Sequence, residues 1–140
     1  MTINEAQDAI IDEFEAFDDW LERYQLICDY GKELLQHPMP ETDKTDQNLI
    51  DGCQSKVWFT CRMENGLLML QGDSDALLVQ GIVAMLLQVL NGHTPKEILE
   101  AKLYFIDRIG LQEHLSPTRS NGVVAMLKQI RLYAIAYANR

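Results

Sequence analysis

The feature that most limits the fold of this 140-residue chain is a change of hydrophobic period in its middle. Val57, Phe59, Cys61 and Met63 alternate with Trp58, Thr60, Arg62 and Glu64, and a period of two sends alternate side chains to opposite faces of a strand. The run is rich in β-branched and aromatic residues, which suit a pleated, half-buried surface. Asn65-Gly66 follows, a pair favoured in two-residue hairpin turns because both positions accept positive φ. Leu67 to Gln71 then returns as a second strand. Asn48-Leu-Ile-Asp51 is expected to add a short third one, ending just before Gly52-Cys53.

On both sides of this hairpin the period is helical. Thr2 and Glu5 have capping-box spacing, and Ala6, Ile10, Phe14 and Phe17 follow at intervals of four and three. Asp18 or Asp19 can cap a second helix whose apolar side is Trp20, Tyr24, Ile27, Leu34 and Leu35, locally weakened at Gly31. Pro38 and Pro40 end it and open a polar loop, residues 41–47. Asp73 or Ser74 is expected to cap a nearly all-apolar helix from about Asp75 to Asn91, closed by Gly92. An apolar circumference requires cover on most sides. Thr94-Pro-Lys-Glu97 combines an N-cap, a proline at the first helical position and a capping-box glutamate. Tyr104 to Ile109 reads as a short helix ended by Gly110, and after Ser116-Pro117 a long helix runs from near Arg119 to Ala138. The expected fold is α+β, a small antiparallel sheet of about three strands packed against helices, in a single domain over residues 1–140.

A hydrophobic content of 47% supports one core without a disulfide or metal staple. Residues 1–51 hold 14 acidic and 3 basic side chains, whereas residues 52–140 hold 7 and 9. The acidic first third would repel phosphates, so nucleic acid is not an expected partner. It reads either as a solvated helical surface or as a docking face for a basic partner. Met1-Thr-Ile-Asn-Glu-Ala6 lacks the basic start and apolar segment of a secretory leader. The most apolar stretch, Ala76 to Leu90, is 15 residues long and includes Gln80, Gly81 and Gln88; a membrane span needs roughly 20 apolar residues. Three cysteines without paired spacing argue against a disulfide framework. A cytoplasmic location is expected.

Cys53 lies in Asp51-Gly-Cys-Gln-Ser-Lys56, between two expected strands. Free cysteine usually behaves as a small buried hydrophobe, so a loop beside glycine and short polar residues is an unusual place for it. On spacing alone Cys53 is either a reactive thiol or a structural one. Cys28, on the apolar side of a helix, and Cys61, at an alternating strand position, read as packed thiols. His37, His93 and His114 are scattered and read as surface or satisfied core residues, and Lys56 is the one cation near Cys53 in sequence. Without Cys-x-x-Cys or His-x-x-x-His there is no scaffold for a structural zinc site, and no metal is expected. The eight glycines read as separate turns and caps, not as a phosphate-cradling loop.

Three segments carry a resemblance. Gly52-Cys-Gln-Ser-Lys-Val-Trp58, Gly72-Asp-Ser-Asp-Ala76 and His114-Leu-Ser-Pro-Thr-Arg-Ser-Asn-Gly122, continued by Ala125-Met126, stand in the order and spacing of the SufE family. That family, which includes CsdE, activates cysteine desulfurases. The resemblance implies a SufE/IscU-like α+β fold whose cysteine loop tucks its thiol into an apolar cavity and everts on docking. It implies that Cys53 accepts sulfane sulfur as a persulfide from a desulfurase of SufS or CsdA type and passes it toward an iron–sulfur scaffold. Pyridoxal phosphate would belong to that partner, and this chain would hold no cofactor. A homodimer is compatible with the resemblance.

Supporting roles follow from the same motifs. Gly52, Gln54, Ser55 and Trp58 would form the loop and its cavity, with Phe59 a further lining candidate. Gly72 to Asp75 would face the loop, Asp73 serving as a turn or cap residue and Asp75 helping to hold the resting loop. Arg119 is poorly placed for the dipole at a helix start, which favours anions. That points to a specific partner, an acidic group across the cavity or on the desulfurase. The alternatives are an iron–sulfur scaffold, which wants several convergent thiolates, and a non-catalytic desulfurase-binding module in which Cys53 is incidental.

Overall fold

The computed structural model describes residues 1–139. Helix α1 spans Ile3–Glu15 and α2 spans Trp20–Leu34. At the start of α1, Thr2 and Glu5 form the full capping box, and Asp19 accepts from Leu21 N at the start of α2. A long connection with two short 3₁₀ turns, Glu41–Asp43 and Asp46–Asn48, leads to β1, Val57–Glu64. Asn65 and Gly66 both take positive φ at the hairpin tip, and β2 returns over Leu67–Ser74. The register pairs Val57 with Ser74 and Glu64 with Leu67.

Among the described residues the sheet has two strands rather than about three. Asn48–Asp51 contributes one bridge, Leu49 to Trp58, and then turns away. Ile50 N donates to Val57 O at 2.8 Å, and farther along the same edge Tyr133 Oη donates to Phe59 O at 3.1 Å. The edge of β2 is met by the segment after the following helix, where Leu68 N donates to His93 O and Leu70 N to Asn91 Oδ1.

Helix α3, Leu77–Leu90, is the centre of the fold, and Ile82, Val83, Met85, Leu86 and Val89 are all buried. It starts later than the sequence suggests and without a side-chain cap. Asp73 and Ser74 belong to β2 instead, because the ladder continues to Ser74 and its N–H is taken by Gln80 Oε1 at 2.6 Å. The α2–α3 contact depends on glycine. A Cβ at Gly81 would overlap the Ile27 carbonyl oxygen, and one at Gly31 would lie 2.7 Å from the Leu77 carbonyl oxygen. Those two glycines are therefore packing residues within helices, not turns or caps.

Helices α4, Pro95–Glu100, α5, Phe105–Arg108, and α6, Leu111–His114, are short. The short helix expected over 104–109 is α5, ended as expected at Gly110, whose φ is +84°, and α6 follows as a further turn that the sequence did not announce. Buried Gln7 ties α1 to α5, donating to Lys102 O at 3.0 Å and accepting from Phe105 N at 3.2 Å. Helix α7 runs from Pro117 to Ala138, and Ser116 Oγ accepts from Arg119 N. Phe14, Phe59, Phe105, Ile109, Leu111 and Ile130 complete a core shared by all layers. Among the described residues no helix is long and apolar enough to cross a membrane.

Candidate functional site

The loop that carries Cys53 is fastened at its base. On one side Ile50 N reaches Val57 O. On the other, Lys56 N donates to Asp75 Oδ1 at 3.1 Å, and Asp75 N donates to Lys56 O at 3.2 Å. Between these anchors, residues 51–55 make one hydrogen-bonding contact beyond the segment itself among the described residues: Cys53 Sγ lies 3.6 Å from Gly122 O. A neutral thiol donates weakly to such a carbonyl. Gly52 has φ of +90°, a conformation that side chains disfavour. The resulting bend places Cys53 between α3 and α7.

The sulfur is half-buried in a small cavity. Val79 and Ile82 of α3 form one wall; Gly122, Val123 and Met126 of α7 form the other, with Arg119, Gln54 and Ser55 at the remaining sides. The cavity has about 10 Å³ of space, on the order of what one water-sized group needs. A larger cavity of about 350 Å³, between α2, α3 and β2, contains no cysteine in its lining.

Burial pushes the Cys53 thiol above its ordinary range, because an apolar surround disfavours the thiolate. Burial does the same to Cys28, and raises Cys61 to about 11. Acidity therefore does not set Cys53 apart in this conformation. Position does: Cys28 is inside α2 and Cys61 inside β1, whereas Cys53 stands on a loop held at its ends. All three thiols are free.

The structure brings Gly52, Gln54, Ser55 and Arg119 to Cys53 but not Trp58, Phe59 or Asp73. Phe59 is fully buried under the sheet, where its ring covers Gly72. Asp73 is buried and holds Lys44 Nζ at 3.3 Å, and the same ammonium lies 5.6 Å from the Trp58 ring centroid. Together Lys44, Asp73 and Trp58 fasten the long 35–49 connection to the sheet. Arg119 is exposed and has no ion-pair partner among the described residues, so no acidic group faces it across the cavity. Sequence reasoning missed the cavity walls Val79, Ile82 and Val123, because ordinary core patterning hides them, and it had Met126 as a motif residue without a place in the cavity. Gly122 had a local signal, a lone glycine inside a helical stretch.

Residues 8–134 match the model of the SufE family, described as an Fe-S metabolism associated domain. The chain belongs to the SufE family. An uncharacterized SufE-like protein of Synechocystis is 44% identical over 128 residues, covering 91% of this chain and 79% of the relative. Another from Rhizobium meliloti is 40% identical over 129 residues, covering 89% and 91%. A hypothetical protein of Thermus thermophilus, solved in solution, superimposes with a TM-score of 0.76 over 96% of this chain and 97% of its own, at 21% identity. That likeness concerns the fold. Membership in SufE associates the chain with iron–sulfur metabolism.

Proposed function

We propose that this SufE-family chain accepts sulfane sulfur on Cys53 from a cysteine desulfurase and delivers it for iron–sulfur cluster assembly. The observation that carries the reading is the placement of Cys53. It is sheltered at rest in a cavity with space for about one more atom, on a loop fastened firmly at its base and, at its tip, by the weak contact of Cys53 Sγ with Gly122 O. A carrier needs both properties, reach toward a donor and shelter afterwards.

The chemistry balances without an oxidant. Outside the cavity the Cys53 thiol loses its proton to solvent or to a base of the partner. The thiolate attacks the outer sulfur of the donor persulfide, an Sγ–S bond forms, the donor S–S bond breaks, and the donor cysteine leaves as thiolate. Pyridoxal phosphate, which generates the donor persulfide, belongs to the desulfurase in this reading. Burial keeps the resting thiol protonated, so reaction is tied to leaving the cavity.

The test is peptide-resolved mass spectrometry after incubation with a cysteine desulfurase and free cysteine. The expected result is one added sulfur on the Cys53 peptide, removable by reductant and absent from Cys53→Ser. Added sulfur on Cys61 instead would overturn the assignment. A cluster scaffold is disfavoured by geometry. The three thiols lie on separate elements, and no three His, Cys, Asp or Glu side chains converge among the described residues. Anaerobic reconstitution with iron and sulfide should therefore leave the chain colourless.

A further inference from the structure

This inference rests on the carrier reading: once loaded, the retracted loop must house one atom more than the resting thiol. Helix α7 is continuous from Pro117 to Ala138 and contains a single glycine, Gly122. Glycine weakens a helix interior, and Gly122 has no positive φ to justify it. Nor does it allow a close backbone approach. A Cβ built on it would have only Cys53 atoms as its three nearest neighbours, Sγ at 3.5 Å, Cα at 3.7 Å and Cβ at 3.8 Å. Those are ordinary van der Waals distances, so alanine would fit beside the unloaded thiol. The resting state does not explain the glycine.

We propose that Gly122 is the seat for the outer sulfur of the Cys53 persulfide, its missing side chain leaving the volume that the second sulfur fills when the loop retracts. A disulfide-type bond extends about 2.05 Å from Sγ. A Cβ lying 3.5 Å from Sγ would bar the outer sulfur from the α7 side of the thiol over a wide range of directions, whereas glycine leaves the space beside its Cα open. The cavity, about 10 Å³, holds on the order of one water-sized group, and Val79 and Ile82 close it from the opposite side. The Gly122 carbonyl repels an anionic sulfur, and Arg119, one turn earlier on the same helical face, supplies the compensating charge. Gly122 is thus a positioning residue for the loaded state and is dispensable to the empty one.

The experiment compares wild type with Gly122→Ala. Each is loaded by a desulfurase with free cysteine, separated from the donor by gel filtration, and challenged with dithiothreitol while hydrosulfide release is followed. The same chains, unloaded, are alkylated with iodoacetamide. Gly122→Ala should lose its sulfur at least tenfold faster, while its unloaded thiol alkylates within twofold of wild type. Val79→Ile, which fills the cavity from α3, should behave in the same way and serves as an independent variant. Equal sulfur loss in wild type and both variants would overturn the seat. So would a Gly122→Ala chain whose empty thiol is also unmasked, or one that cannot be loaded at all, since the glycine would then serve shelter or docking. If wild type itself takes no sulfur, the carrier reading fails and this inference falls with it. Loading without differential protection sinks the seat alone.

Discussion

Lys56 and Asp75 are joined in both directions, the Lys56 amide donating to the Asp75 carboxylate and the Asp75 amide donating to the Lys56 carbonyl. This pairing holds the base of the Cys53 loop against the start of α3. An exposed hydrogen bond of this kind contributes about 0.5–1.5 kcal/mol, which corresponds to a factor of about two to ten in a loop-opening equilibrium. Asp75→Ala removes one of the two bonds and leaves the backbone partner in place. The expected outcome is alkylation of Cys53 two- to tenfold faster, with little change in melting temperature. Timed iodoacetamide labelling with peptide mass analysis checks it. An unchanged labelling rate would mean that the loop opens without parting Lys56 from Asp75.

A second prediction concerns pH. An ordinary thiol titrates near about 8.5, and burial raises Cys28, Cys53 and Cys61, the last to about 11. The folded chain therefore holds these protons to higher pH than the unfolded chain does. The associated stability is fully present below about pH 8.5 and is lost as pH rises through the folded values. Melting temperature should be flat through neutrality and fall between about pH 9 and 11. Cys61→Ala should flatten part of that fall, while Tyr30, raised by burial and its bond to Glu13, sustains the decline at the upper end. In the isolated chain the alkylation rate of Cys53 should also have its midpoint above about 8.5. A midpoint below that value would reveal a cation acting on the sulfur in the resting loop.

Much of the fold was legible in the residues because its signals are local. The Asn65-Gly66 turn, the Thr2 and Thr94 capping boxes and Pro117 at the first position of α7 each act within a few residues. What the sequence hid is set by partners distant along the chain. Asp73 and Ser74 have helix-capping chemistry, yet the pairing of Ser74 with Val57 and its bond to Gln80 draw them into the strand. The segment after Asn48 has strand-like residues, but the turn at Gly52 ends its pairing after one bridge. For the candidate site, the motif singled out Cys53 and its loop. The walls could not be read, because Val79, Ile82 and Val123 look like any core residues until α3 and α7 are brought together. Gly31 looked like a weak point in α2 for the same reason.

The glycines supply a third prediction, one that separates helix propensity from packing. Gly81 and Gly122 both occupy helix interiors, where alanine is favoured by about 0.5–1 kcal/mol. At Gly122 the added methyl meets Cys53 at no less than 3.5 Å, so Gly122→Ala should raise stability by about that amount in the unloaded chain. At Gly81 the methyl would overlap the backbone of Ile27. Either α2 and α3 move apart along a buried contact or the local backbone shifts, and overpacking of this kind costs about 1–3 kcal/mol. Gly81→Ala should therefore be net destabilising despite its better helix propensity. Urea unfolding of the two variants under reducing conditions gives both signs in one experiment. Stabilisation of both would mean that the α2–α3 crossing is looser than the Gly81–Ile27 contact implies. Destabilisation of both would mean that Gly122 is already tightly packed in the resting state, with no space beside Cys53 for another atom.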